Sequence, residues 1–199
     1  PTAVALSNAA VDENADVDET VGTLSTADAN AGDTHTYELV AGEGDTDNSL
    51  FAIAVDQLLA DASFDFEMQD SYSIRVRSTD SFGLSVDEML MISINDLNES
   101  PTDLMLSNDT VAEDTLIGAT FGLLTTTDPD TVNTHTYSLV AGDGDTDNAS
   151  FEVVGDELRT TVALDFATQQ SYSIRVQSMD QGGEFFEKIL TVFVTEVIV

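Results

Sequence analysis

Apolar and polar residues alternate with a period of two along much of this chain. Tyr72, Ile74 and Val76 alternate with Ser73, Arg75 and Arg77, the pattern of a strand with one buried face. Val86, Leu90, Ile92 and Ile94 share one parity further on and predict a final strand. Tyr37 with Leu39, and Val21 with its neighbours, predict two more. Clusters of Gly, Asp, Asn and Ser interrupt these runs about every 8–12 residues, as the turns of a sandwich do. No segment sustains a helical period.

The pattern then repeats. At an offset of 100 residues, without gaps, about 41 of 99 positions are identical. Thr34-His35-Thr36-Tyr37 returns as Thr134-His135-Thr136-Tyr137, and Gly44-Asp45-Thr46-Asp47-Asn48 returns at 144–148. The run from Ser71 to Val76 returns unchanged at 171–176. Identity at this level means one fold used twice, and so long a period belongs to a domain array rather than a solenoid. The expected architecture is all-β: two tandem, immunoglobulin-like, seven-stranded Greek-key β-sandwiches over 1–97 and 98–199. Tyr72 and Tyr172 open their strands as a tyrosine-corner residue would, although a core aromatic is the simpler reading.

Composition adds one abnormal feature. The hydrophobic fraction of 42% suffices for a core, but 38 Asp and Glu stand against 5 Lys and Arg, a formal net charge of -33. Phosphates would be repelled, which excludes nucleic acid as a partner, and anionic membrane surfaces are disfavoured for the same reason. Self-repulsion of this size opposes a compact state unless cations are present. Bound divalent metal and a salt-adapted, solvated acidic surface are the two ways to meet that need. Cysteine is absent, so neither a disulfide nor a thiolate metal site can form. No stretch of about 18 apolar residues occurs, and direct membrane insertion is not expected. Pro1-Thr2 is in phase with Pro101-Thr102, so the chain is expected to be a piece of a longer array.

Hard cations such as calcium take about six to eight oxygen ligands from carboxylates, Asn side chains and backbone carbonyls. One Asp-rich loop says little, since Asp and Asn also favour turns for local reasons. Here several short acidic motifs occur at separate places. Asp96-Leu97-Asn98-Glu99-Ser100-Pro101 lies between the copies, and Phe64-Asp65-Phe66-Glu67 lies within the first. Asp12-Glu13-Asn14 lies near the start of the first copy, and Asp128-Pro129-Asp130 and Ser178-Met179-Asp180 lie in the second.

Together these motifs resemble the cadherin repeat. Residues 96–101 resemble its inter-domain linker DxNDNxP, one residue shorter and with Glu for the second Asp. Asp65 and Glu67 resemble the acidic pair of its LDRE motif, Asp128 and Asp130 its DxD motif, and Asp180 the Asp before its last strand. The resemblance covers essentially the whole chain. It implies a calcium-binding linker at about 96–101. Glu13, Asp65 and Glu67 would come from the base of repeat 1, Asp96, Asn98 and Glu99 from the linker, and Asp128, Asp130 and Asp180 from the top of repeat 2. These would hold roughly two to three Ca2+ ions. The outer ends are expected to bind weakly. Asp28, Asn30 and Asp80 form the first copy's upper set without a preceding linker, and the second copy's lower set keeps Glu113 and Asp165 but has Ala167 for the Glu. The stretch from Thr195 to Val199 lacks the linker pattern.

Other features are given local roles. The loops at 42–48 and 142–148 are read as turns whose Asp and Asn bond their own backbone. With no Cys and no second His per copy, His35 and His135 are read as structural rather than zinc ligands. Arg75 and Arg175 face outward into local ion pairs. No catalytic constellation is defensible, so the chain is not expected to be an enzyme.

The stretch GxGDTDN before a strand resembles cadherin-like repeats of bacterial surface proteins. The resemblance therefore implies an extracellular, calcium-dependent adhesion module of a bacterial adhesin, acting in cell–cell or cell–surface attachment or biofilm. Its partners would be neighbouring repeats of the same chain, and homophilic protein contacts or surface polysaccharide. A polysaccharide-binding module is the alternative, weakened by the absence of Trp and a count of only four Tyr. A passive acidic spacer is the third reading.

Overall fold

In the computed structural model, which describes residues 1–198, the first unit opens on a strand broken in two. Ala3–Leu6 (β1) and Ala10–Asp12 (β2) are followed by Thr20–Ala27 (β3), His35–Leu39 (β4), Phe51–Ala54 (β5), Gln57–Ala60 (β6), Ser71–Asp80 (β7) and Ser85–Asn95 (β8). The two halves of the broken strand join different sheets, β1-β3-β6-β5 and β2-β8-β7-β4. Counting them as one strand that changes sheets gives the expected seven. The crossing is built from residue chemistry. The Asn8 amide donates to the carbonyls of Ala10 and Val21, at 2.7 and 2.9 Å, which anchors the chain between layers. Gly22 sits where a Cβ would lie 2.4 Å from the Asn8 carbonyl oxygen, so only glycine permits the approach. β2 runs parallel to β8, and the remaining pairings are antiparallel.

The second unit repeats this order. Asp103–Leu106 (β9), Thr110–Ala112 (β10), Thr120–Thr127 (β11), Thr136–Leu139 (β12), Phe151–Val154 (β13), Glu157–Thr160 (β14), Ser171–Met179 (β15) and Phe185–Thr195 (β16) form sheets β9-β11-β14-β13 and β10-β16-β15-β12. The chain divides into one unit at Pro1–Leu97 and another from Asn98 onward. In each unit the alternation buries one face of both sheets. Leu24 and Leu58 meet Ile74 and Ile92 in the first core, while Leu124 and Leu158 meet Ile174 and Val192 in the second. Tyr72 and Tyr172 are core aromatics, each with a ring neighbour at Phe51 or Phe151.

The Gly-Asp loops finish the edge of the sheet. The N–H of Asp47 donates to the Ser73 carbonyl, while Asp47 Oδ2 and Asn48 Oδ1 accept the N–H groups of Ser73 and Arg75. Side-chain oxygens thus take the place of a neighbouring strand, and the second unit repeats both bonds from Asp147 and Asn148. Arg75 lies under this loop, with Nη1 on the Glu43 carbonyl at 3.0 Å and Nη2 on Asp87 at 3.2 Å. Among the described residues no helix is long and apolar enough to cross a membrane.

Candidate metal centre

In the first unit, Glu13 follows β2 and is almost wholly buried, at 1% exposed. Two backbone donors explain why a carboxylate tolerates that place. Oε2 accepts the N–H of Phe66 at 2.9 Å, and Oε1 accepts the N–H of Leu97 at 2.7 Å. Asp65 lies in the loop between β6 and β7, where Oδ1 accepts the N–H of Met68 and stiffens a turn. Carboxylate oxygens of Glu13, Asp65 and Glu67 come within 4.8 Å of one another. Asp96 follows β8 directly. Glu13 is buried while Asp65 and Glu67 are exposed, and a hard cation with oxygen ligands would relieve the repulsion among three anionic oxygens at this spacing.

In the second unit the remaining residues are wired together. Asn98 donates through Nδ2 to Asp180 Oδ2 at 2.9 Å, and the N–H of Glu99 donates to Asp130 Oδ2 at 2.8 Å. Asp128 Oδ1 accepts the N–H of Asp130 at 3.0 Å, closing the turn that the DxD spacing favours. Asn133 bonds both Asp130 and Asn98. Burial works against ionisation of Asp180, but the Asn98 amide and the N–H groups of Gly183, Glu184 and Gly182 outweigh it and hold its carboxyl below the usual carboxylate range. Asp130 and Asp180 are only 8% and 5% exposed, so both anions depend on this web of donors. Gly182 leaves room for Asn98, since a Cβ there would lie 2.4–2.5 Å from the Asn98 side chain.

The outer ends differ from each other. Carboxylates of Asp28, Asp33 and Asp80 converge within 4.8 Å in the first unit. Asp28 is held well below the usual carboxylate range by the N–H of Asn30 and then by His35. Asp33 Oδ2 is buried without a hydrogen-bond partner, a fit for a cation that the Asp28, Asn30 and Asp80 reading did not include. The internal alignment holds the missing signal, because Asp33 falls opposite Asn133, which bonds Asp130. At the far end of the second unit, Glu113 repeats the Glu13 arrangement on Phe166 and Val197. Asp165 there bonds Thr168, and Val199 lies outside the described residues. The two histidines also have a place: Nε2 of His135 is 2.7 Å from Asp128 and that of His35 is 3.0 Å from Asp28.

This is the cadherin-repeat fold, used twice in tandem. Human protocadherin-24 EC1-2 superposes with a TM-score of 0.74 at 15% identity, over 99% of this chain and 100% of that one. Mouse cadherin-23 EC22-24 gives 0.69 at 21% identity, over 96% of this chain and 63% of that one. Extracellular cadherin domains 3-6 of protocadherin gamma B2 give 0.68 at 18%, over 98% and 47%. In sequence, protocadherin Fat 4 of Homo sapiens is 28% identical over 165 residues, which is 80% of this chain but 3% of that protein. No family model matches the chain.

Proposed function

We propose that this chain is a calcium-stabilised adhesion segment of an extracellular protein. Glu13, Asp65, Glu67 and Asp96 supply one set of oxygens, and Asn98, Glu99, Asp128, Asp130 and Asp180 supply the other. The convergence of Glu13, Asp65 and Glu67 within 4.8 Å, in a chain of net charge -33, is the observation that carries the reading. The cadherin-repeat fold supports it, and the covalent step from Leu97 to Asn98 joins the two sets. Calcium bound by these oxygens would neutralise the carboxylates. Roughly two to three ions are accommodated by this many oxygens. A bacterial surface setting has only the sequence of the Gly-Asp loops behind it, and the matched relative is human. Neighbouring repeats and homophilic contacts are the partners of this reading.

Extracellular calcium modules bind with Kd of about 10⁻⁴–10⁻³ M. At about 100 times Kd a single native-state site adds about 2.7 kcal/mol. Calcium at 10 mM is about 10–100 times that Kd, worth about 1.4–2.7 kcal/mol, and at roughly 4–8 °C per kcal/mol for a domain of this size Tm is expected to rise by about 6–20 °C over chelator. The control is sodium chloride at matched ionic strength. An equal rise in sodium would assign the acidity to solvation alone and remove the calcium reading.

The glycine beside Asn98 offers a narrower check. Gly182→Ala places a Cβ against the Asn98 side chain and is expected to part it from Asp180. Calcium affinity should fall by about tenfold or more, the scale seen when ligand-orienting contacts are lost. Titration calorimetry reads the affinity, and an unchanged Kd would show that Asn98 is not part of the set.

A further inference from the structure

We propose that His135 is the positioning residue of the calcium ligand Asp128, and that His35 serves Asp28 in the same way; the proposal rests on the calcium reading above. His135 Nε2 lies 2.7 Å from Asp128 Oδ2, with the two side chains 12% and 4% exposed. A carboxylate oxygen only accepts, so Nε2 carries the proton and the ring donates. The other oxygen of Asp128 takes the N–H of Asp130 at 3.0 Å. The carboxylate is therefore fixed at both ends, while each oxygen keeps a further lone pair for a cation. Such outer donors orient metal ligands, and their loss costs about 10–100-fold in metal affinity.

The ring is itself held by the sheet. His35 begins β4 and pairs in register with Asp80 at the end of β7, and His135 immediately precedes β12, the equivalent strand. The first unit repeats the arrangement in detail. His35 Nε2 is 3.0 Å from Asp28 Oδ2, and Asp28 Oδ1 accepts the N–H of Asn30 at 2.9 Å. Neighbouring positions differ between the copies, with Asn30 against Asp130 and Asp33 against Asn133, yet the His–Asp pair stays. A histidine that merely filled space beside the strand would have no need to aim Nε2 at the same carboxylate oxygen twice.

The two amide residues separate the donor from the bulk of the ring. Gln carries its NH2 at about the reach of Nε2, whereas Asn ends near the position of Nδ1. Calcium titration calorimetry on His135→Gln, His135→Asn and the parent is the test, with thermal melts of all three in chelator. The expected result is a Kd for His135→Gln within about threefold of the parent and a Kd for His135→Asn weaker by about 10–100-fold. Equal Kd values for the two variants would overturn the proposal, whether or not their melts in chelator differ. A parent that takes up no calcium would instead remove the reading on which the proposal stands.

Discussion

Glu13→Ala is expected to unfold the first unit at far lower temperature than the parent, in calcium and in chelator alike. The carboxylate is buried and receives the N–H groups of Phe66 and Leu97. Truncation strands two backbone donors, each costing about 1–3 kcal/mol when buried without a partner. A total of about 2–6 kcal/mol corresponds to a fall in Tm on the order of 10 °C or more. The metal contribution comes on top and is present only in calcium. Glu113→Ala supplies the internal comparison, because Glu113 receives Phe166 and Val197 in the same manner at 3.1 and 3.0 Å. Beside it stands Ala167 rather than a second Glu, so its loss should be smaller and indifferent to calcium. Differential scanning calorimetry of both variants in calcium and in chelator separates the roles. An excess loss for Glu13→Ala in calcium marks a ligand, and equal losses in both buffers would reduce Glu13 to a backbone clamp.

Glu13 illustrates which parts of the candidate site were legible in the sequence. Acidic residues at motif spacing are visible as such, and Asp65 with Glu67 do converge on Glu13. What a linear pattern does not carry is the acceptor work done by the same oxygens, since Phe66 and Leu97 lie 53 and 84 positions from Glu13. The two histidines were read as structural because one His per copy makes no zinc site. Their aim at Asp28 and Asp128 depends on strand register, which hydrophobic alternation does not specify. The fold was easier. The long strands β7 and β8 follow the alternation of Tyr72, Ile74, Val76, Ile92 and Ile94 closely. The short hairpin of β5 and β6 was hidden because its turn places Val55 at φ 63, where residue type gives no turn signal; Gly155 stands at the same place in the second unit. The change of sheets at Asn8 was hidden too, because a three-residue break with an amide anchor resembles any loop.

Phe64→Ala is expected to remove about 3–5 kcal/mol from the first unit and to take calcium binding with it. Phe64 is 2% exposed, with its ring centroid 5.3 Å from Phe51 and 4.9 Å from Tyr72. It directly precedes Asp65, so it pins the loop that carries two of the three converging carboxylates to the core. The second unit reaches the same packing by exchange. Leu164 stands for Phe64 and Phe121 stands for Val21, and Phe121 joins Tyr172 as a ring neighbour of Phe151, at 5.9 Å. Both copies therefore place one extra ring beside the aromatic at 51 or 151, from the loop after β6 in the first unit and from β11 in the second. This predicts a coupling that single variants cannot show. Phe64→Leu alone should cost about 1–2 kcal/mol through the space it leaves, and Val21→Phe alone about 1–3 kcal/mol through overpacking. The double variant Val21→Phe/Phe64→Leu should lie within about 1 kcal/mol of the parent, an interaction energy at the upper end of those between packed neighbours. Chemical denaturation of the four proteins in chelator measures the cycle. Additive losses would mean that Phe121 does not do in the second unit what Phe64 does in the first, and that the two cores are packed by separate solutions.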